Sequence, residues 1–428
     1  MTAVADHITQ TLDYIAASQA ELNAFITVDR AGALAAAAAA DERRASGTVR
    51  GPLDGQAVAV KDNLDTAGLA TTYGLGVFQG RVPTTDAAVV AQLREAGAII
   101  VGKTNMTELA CGTVGINVHY GDVRNPLRAG HYPGGSSSGS AAAVAAGLVS
   151  FAIGSDTGGS IRHPASTCGI VGHKPTFGRV SNDGASVCTR SMDHIGPMTA
   201  NVADAAALLA VIQTAGHDDP TARLGQPLDG ASIGLLRGDF VDRCDDDVMA
   251  AFEPVVALLE ALGCTVTDLD LGLDLRAVDD DIATVLGADL VHEYGEVFAH
   301  GGHDAFGPEL WEWYSRYERV DPVDYRAAEA SQRALSSEVS NRISAFDAVI
   351  CPTTRTGTRT VLEGEAADRF ERVGNLALWD VTGHPSLTMP FGTDRSGLPL
   401  GLLISGPLGA DAGVLQIGHQ VESARSVR

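Results

Sequence analysis

Residues 134–166 read "GGSSSGSAAAVAAGLVSFAIGSDTGGSIRHPAS". Taken alone, a Gly/Ser tract is a flexible linker. A linker separates polar segments, whereas this one runs directly into a series of small apolar helix formers. A second cluster, "SDTGGS", then closes an apolar stretch, and Arg162 follows it. The pattern predicts a helix of small residues at 140–149 and a strand at about 150–154. Both glycine-rich turns then serve chemistry rather than spacing.

A phosphate loop requires G-x-x-x-x-G-K-[ST], and neither cluster carries that lysine. "GIVGHKPT" has a lysine, but Pro175 follows it and the glycine spacing is wrong. No GxGxxG follows a strand, so nucleotide binding is set aside for both clusters. Acyl transfer remains. Ser160 is reached through two glycines, whose bare backbone lets successive N–H groups converge on one point. Such a nest beside a serine oxygen is an oxyanion hole, with the N–H groups of Thr157, Gly158, Gly159 and Ser160 as candidate donors. The nucleophile elbow G-x-S-x-G does not surround Ser160, which sets aside the α/β-hydrolase arrangement at that serine. Two kinds of base stay open. His163, His173 and His194 are near in sequence. The other option is a neutral lysine acting through a second hydroxyl, and Lys61 suits it because it ends the apolar strand in "AVAVKDN". Asp62 or Asp65 could instead pair that lysine, or it could snorkel to water.

Outward from this stretch, strands and helices alternate, an α/β signature. Residues 5–45 read as two helices, Ala57–Val60 as a strand, 85–97 as a helix, "AIIVGK" as a strand and 201–215 as a helix. "GHDDPTARLGQP" is the best linker. "ASIGLLRG" and "CTVTDLDL" read as strands flanking one amphipathic helix, "DDVMAAFEPVVALLEALG". Residues 277–345 look mainly helical. "AFDAVICPTT" and "HPSLTMPFGTD" read as buried strands, "GLPLGLLISGP" completes a hairpin, and the end is a helix.

Composition narrows the class. The chain has 428 residues, 45% of them hydrophobic, enough for a sizeable core. Length alone suggests two or three domains, although α/β enzymes often build one large sheet. A net charge of −23 argues against a nucleic-acid backbone or an anionic membrane as main partner. The six cysteines form no CxxC pair and no zinc spacing, so reduced thiols and a cytoplasmic location are expected. The N-terminus lacks the pattern of a secretory signal. The longest apolar stretch, Ala141–Gly154, is too short to span a membrane.

The segment "GGSSSGSAAAVAAGLVSFAIGSDTGGSIRHPASTCGIVGHKPTFGRV" resembles the amidase signature family. The likeness extends from about Gly55 through "SMDHIGPMT" to residue 215, and returns in "CPTT" and "HPSLTMPFG…GLPLGLLISGP". Lys61, Ser136 and Ser160 stand 75 and then 24 residues apart, as in that family. The resemblance implies a large mixed, mostly buried β-sheet covered on both faces by helices, as one domain over 1–428. Within it, 1–50 would hold N-terminal helices, 51–215 the catalytic core, 216–345 a variable helical cleft region and 346–428 a return to the sheet. It implies a Ser–cisSer–Lys triad with Ser160 as nucleophile. Ser136, behind a cis Gly135–Ser136 peptide, would bridge to Lys61. That lysine must be neutral, which burial would achieve by moving its pKa toward 7 or 8. Asp156 and Arg162 would support the loop as an ion pair, and Ser137 would hydrogen-bond within the site. Ser138 and His173 stand where the family commonly has glycine and leucine, so local packing should differ there.

The implied activity is a metal-free, cofactor-free serine amidase forming an acyl-enzyme on a small amide, carbamate, ureido compound, anilide or ester. The expected partner is that small molecule, with no nucleic acid and no membrane, and a homodimer is admissible. Two rivals stand beside it: the catalytic chain of a glutamyl-tRNA amidotransferase, and a silent family member used for binding. The chain's shortness and its middle, 277–345, weigh against the first; the intact triad weighs against the second. His292, Glu293, Glu296, His300 and His303 invite a metal reading, but HExxH fails at position 296. "WEWYSRY" at 311–317 and the surroundings of Trp379 either wall a substrate pocket or belong to the core.

Overall fold

The computed structural model describes residues 3–186 and 188–426. The alternation read from the sequence builds one mixed sheet of eleven strands. In chain order these are β1 (Phe25–Val28), β2 (Ala57–Lys61), β3 (Ile99–Thr104), β4 (Phe151–Asp156), β5 (Val171–Lys174) and β6 (His194–Thr199). They continue with β7 (Ser232–Leu236), β8 (Thr265–Leu269), β9 (Ala348–Pro352), β10 (Ser386–Thr393) and β11 (Pro399–Ser405). The spatial order is β1-β3-β2-β4-β6-β5-β10-β11-β9-β7-β8, so strands from both ends of the chain share the sheet.

The strand period of two explains how both faces are covered. Val58 and Val60 of β2 join Ile100, Phe151 and Ile153 in a core beneath helices Ala88–Glu95 and Val202–Ile212. Ala57 and Ala59 face the other way, into a core with Ile99, Val101 and Ala152. Helices Val4–Leu22, Arg30–Ser46 and Ser138–Ala145 close that second face. Small residues suit the last of these. Ala141, Ala142 and Ala143 have no exposure, and a Cβ on Gly139 would lie 2.4 Å from the Ala24 carbonyl oxygen.

Several expectations change. A strand, β1, separates the two N-terminal helices. The single helix expected at 246–263 is two, Asp246–Phe252 and Pro254–Ala261, because Pro254 offers no N–H to continue the first. β5 and β6 replace stretches read without strands. Residues 277–345 form helices Leu275–Gly301, Pro308–Tyr317 and Pro322–Ile343, whose apolar sides meet in a separate core around Ile282, Leu290, Phe298 and Leu310. Among the described residues no helix is long and apolar enough to cross a membrane.

Candidate active site

β2 lies between β3 and β4 and runs parallel to both. Open α/β sheets bind ligands beyond the carboxyl ends of such strands. Lys61 is the last residue of β2, and the SDTGGS turn begins at the end of β4. Lys61 has the parity of Ala57 and Ala59, so it enters the face under the small-residue helix. It is completely buried. Its Nζ donates to Ser136 Oγ at 2.7 Å and to Ser155 Oγ at 2.8 Å. Burial pushes its pKa down to about 7, against the opposing pull of Cys188, Asp156 and Asp193. Neither Asp62 nor Asp65 pairs with it. Asp62 lies 3.8 Å from Lys103, and Asp65 binds Arg81.

The Gly135–Ser136 peptide is cis. Around it, the serines read as a linker act as fasteners. Ser137 Oγ donates to the Ser155 carbonyl at 3.1 Å, and its N–H donates to the Ser160 carbonyl at 3.3 Å. Ser140 Oγ donates to the Ile153 carbonyl at 3.0 Å. Ser138 begins the helix with its hydroxyl buried and unpartnered. Residue 160 is thus held against residue 137 through the backbone, and Ser160 is half-buried. Its hydroxyl makes no hydrogen bond among the described residues, which leaves it open to a ligand.

The nest differs from expectation at one position. The Gly159 N–H donates to the Asp156 carboxylate, which also accepts from the Ile161 N–H at 3.0 Å. A carboxylate closing a strand captures the N–H groups of the turn that follows it. The N–H groups of Thr157, Gly158 and Ser160 have no acceptor among the described residues. Arg162 fastens the turn from beneath. Its Nε and Nη2 donate to the two Asp156 oxygens at 2.9 and 3.0 Å, and Nη2 also reaches Asp380. Burial alone would raise the Asp156 pKa, but the Arg162 charge and its hydrogen bonds hold it far below the carboxylate range.

No histidine takes the base position. His163 is buried, and that burial drives its pKa down to about 3. His173 contacts Asp411 at 3.2 Å, which ties β5 to the C-terminal helix and accounts for this residue where leucine is common. His194 Nδ1 lies 2.6 Å from the Met192 carbonyl oxygen.

Sequence reasoning missed three groups. Ser155 is the second partner of Lys61 and also accepts from Asn63 Nδ2 at 3.0 Å. Asp193 accepts from Thr157 Oγ1 at 2.7 Å and from the Cys188 N–H at 2.8 Å, and burial raises its pKa to about 6. Its only signal was its place in "SMDHIGPMT". Arg369, in the short helix Arg369–Val373, closes on the nest: a Cβ on Gly158 would lie 2.7 Å from its Nη2.

Arg369 also lines a cleft of about 640 Å³, walled by helices Leu275–Gly301 and Pro308–Tyr317 and by residues 108–118; Lys61, Ser136, Ser160 and the nest residues are not among its lining. Trp313 lines it, whereas Trp311 stacks with Phe306 in the helical core and Trp379 is wholly buried. The two readings of "WEWYSRY" therefore divide between its two tryptophans. His292, Glu293, Glu296 and His300 lie on the helix Leu275–Gly301, where His300 Nδ1 approaches the Glu296 carbonyl oxygen at 2.7 Å. A second groove of about 750 Å³, lined by Asp246, Phe391 and Arg425, likewise touches none of Lys61, Ser136, Ser160 or the nest residues.

Comparison with known proteins places the chain in a family. The family model described as Amidase matches residues 6–415. The A-type subunit of the glutamyl-tRNA(Gln) amidotransferase of Synechococcus sp. (strain RCC307) is 35% identical, over 99% of this chain and 94% of its own length. The X-ray structure of native peptide amidase from Stenotrophomonas maltophilia superposes with a TM-score of 0.87 at 32% identity, covering 99% of this chain and 93% of that one. A chain from a vestigial protein complex, linked to the origins of an s-triazine catabolic enzyme, superposes at 0.90 with 30% identity, covering 99% and 95%. These findings correct the expected partners. A small molecule with nucleic acid excluded does not stand against a relative that spans the chain and is named for a tRNA. Net charge is a whole-molecule average, and one component of an assembly can leave phosphate neutralisation to another chain. Nor do shortness and the middle region weigh against the amidotransferase likeness, since the alignment spans nearly all of both chains.

Proposed function

The chain belongs to the amidase family and is an enzyme acting on carbon–nitrogen bonds; on that premise we propose that it cleaves an amide through an acyl-enzyme on Ser160. The observation that carries this reading is Lys61, buried, with its pKa near 7 and its Nζ 2.7 Å from Ser136 Oγ. Ser160 Oγ attacks the carbonyl carbon, and its proton passes through Ser136 to Lys61 Nζ. The carbonyl oxygen takes the negative charge and is held by the N–H groups of Thr157, Gly158 and Ser160. When the C–N bond breaks, the proton returns through Ser136 to the departing nitrogen. An acceptor then attacks the acyl-enzyme, its proton follows the same relay, and Ser160 is restored. Asp156, Arg162 and Ser137 hold the turn, and Gly135 admits the cis peptide. Carbamates and esters present the same carbonyl and would acylate Ser160 by the same steps.

The full-length likeness to amidotransferase chains favours the reading in which glutamine is the amide donor and the ammonia serves a tRNA-linked acceptor in a partner chain. A second reading, hydrolysis of a small amide by the chain alone, draws support from the peptide amidase likeness. Six unpaired cysteines, five of them buried, support a cytoplasmic setting for either. The test is ammonia release from glutamine and from an amide panel, with and without candidate partner chains and tRNA. The favoured reading expects partners and tRNA to raise glutamine turnover. Full turnover by the lone chain, unaffected by either, would select the second. Failure of a fluorophosphonate to label Ser160 in folded protein would overturn both.

A further inference from the structure

Among the described residues, Arg369 is the cation that closes on the outer side of the nest. Its Nη1 is bonded to Asp279 of helix Leu275–Gly301, which fixes the guanidinium in place, and its side chain remains 23% exposed. Its Nη2 closes on Gly158, where any side chain would collide with it. Three other arginines line the cleft, of which Arg316 lies over the Tyr317 ring at 5.6 Å. Arg372 donates to Thr113 Oγ1 at 2.7 Å and to the Gly364 and Ala367 carbonyls. Arg276 pairs with Asp368 at 2.6 Å and lies over the Phe370 ring. Arg369 thus presents an uncommitted guanidinium edge to the turn that carries Ser160.

A planar guanidinium fork binds a carboxylate through two parallel hydrogen bonds, a fit no neutral group of the same size reproduces. Resting on the amide-cleaving reading above, we propose that the substrate's acyl half ends in a carboxylate and that Arg369 reads it. Because Nη2 abuts the nest itself, that carboxylate lies only a few bonds from the scissile carbonyl. The class is a short dicarboxylic acid monoamide or an analogue of one. Seven acidic residues also line this cleft, Asp280 and Glu309 among them, so a substrate carboxylate is favoured only where it meets Arg369.

The test needs no known substrate. Ser160 is labelled with a fluorophosphonate in the full chain, and protection is titrated with succinamate and with 4-oxopentanamide, which replaces the carboxylate with a methyl ketone. Succinamate should protect at least tenfold more tightly than the ketone. Arg369→Met should erase that preference by weakening succinamate, and Arg369→Lys should restore part of it. Because Arg369→Met leaves Asp279 unpaired, Asp279→Asn/Arg369→Met is measured as well and should behave alike. Equal protection by both compounds in the wild type, or a preference that survives in both Met variants, would overturn the proposal. Absence of labelling would instead sink the acyl-enzyme reading on which it rests. Where turnover is measurable, the effect of Arg369→Met should fall on KM for succinamate rather than on kcat for the ketone.

Discussion

Two lysines lie buried on adjacent strands, and they differ in what they touch. Lys61 ends β2, and Lys103 sits in β3 opposite Val60. Neither has any exposure. Burial lowers both, Lys61 to about 7 and Lys103 to about 8. Lys103 faces the Leu64 carbonyl, Thr71 Oγ1 at 3.0 Å and the Asp62 carboxylate at 3.8 Å. Lys61 meets only hydroxyls, of Ser136 and Ser155, and the proposed relay to Ser160 runs through the first of them. A depressed pKa therefore does not identify a base. In the proposed mechanism a base also needs a path for the proton, and of these two lysines only Lys61 touches a hydroxyl of the proposed triad.

The sharpest break in this comparison is at the far end of the path. Ser160→Ala should lower kcat/KM by at least about 10⁴-fold and abolish fluorophosphonate labelling. Lys61→Ala should lower it by about 10² to 10⁴-fold, the range of a general base. Lys103→Met should leave kcat/KM within a few fold, yet lower unfolding stability by about 3 kcal/mol, because Asp62 loses its buried partner. If the two lysine variants were equally inactive at equal stability, the distinction would fail.

Stability sharpens the same contrast. Between pH 7 and 10.5 the unfolded chain binds a proton at Lys61 that the folded chain releases, so stability attributable to this group rises with pH across that window. Near neutrality the depressed pKa corresponds to about 5 kcal/mol of unfavourable burial. Lys61→Met should recover part of it and raise the midpoint of urea unfolding at pH 7. The smallest expected effect is at Ser155. Ser155→Ala removes an acceptor from the charged ammonium, so the acid limb of the pH–rate profile should move below pH 7, with about a tenfold loss in rate.

Local pattern carried much of this structure. β2, β3, β4 and the small-residue helix follow from apolar runs with clear ends, and Lys61 was visible as a charge closing such a run. β5 and β6 were not: "VGHK" and "HIGPMT" mix glycine, histidine and proline, and only sheet partners make them strands. The break at Pro254 was present in the sequence but lay inside an otherwise continuous amphipathic pattern. At the site, residues joined by one turn, such as Asp156 and Arg162, were legible because six positions separate them. Ser155 lies 94 positions from Lys61, and Asp193 lies 36 from Thr157, so only the assembled sheet brings each pair together. The Gly159 N–H was misassigned for a different reason. Glycine permits a nest, but the neighbouring carboxylate decides which N–H groups stay free.

The central claim is that Lys61 is neutral in the working range of the folded enzyme. The most direct measurement is an NMR pH titration of the Lys61 side-chain nitrogen, assigned by its disappearance in Lys61→Met. A midpoint near 7 is expected, matching the acid limb of Ser160 labelling. A midpoint near 10.5, with labelling insensitive to pH between 6 and 9, would contradict the account.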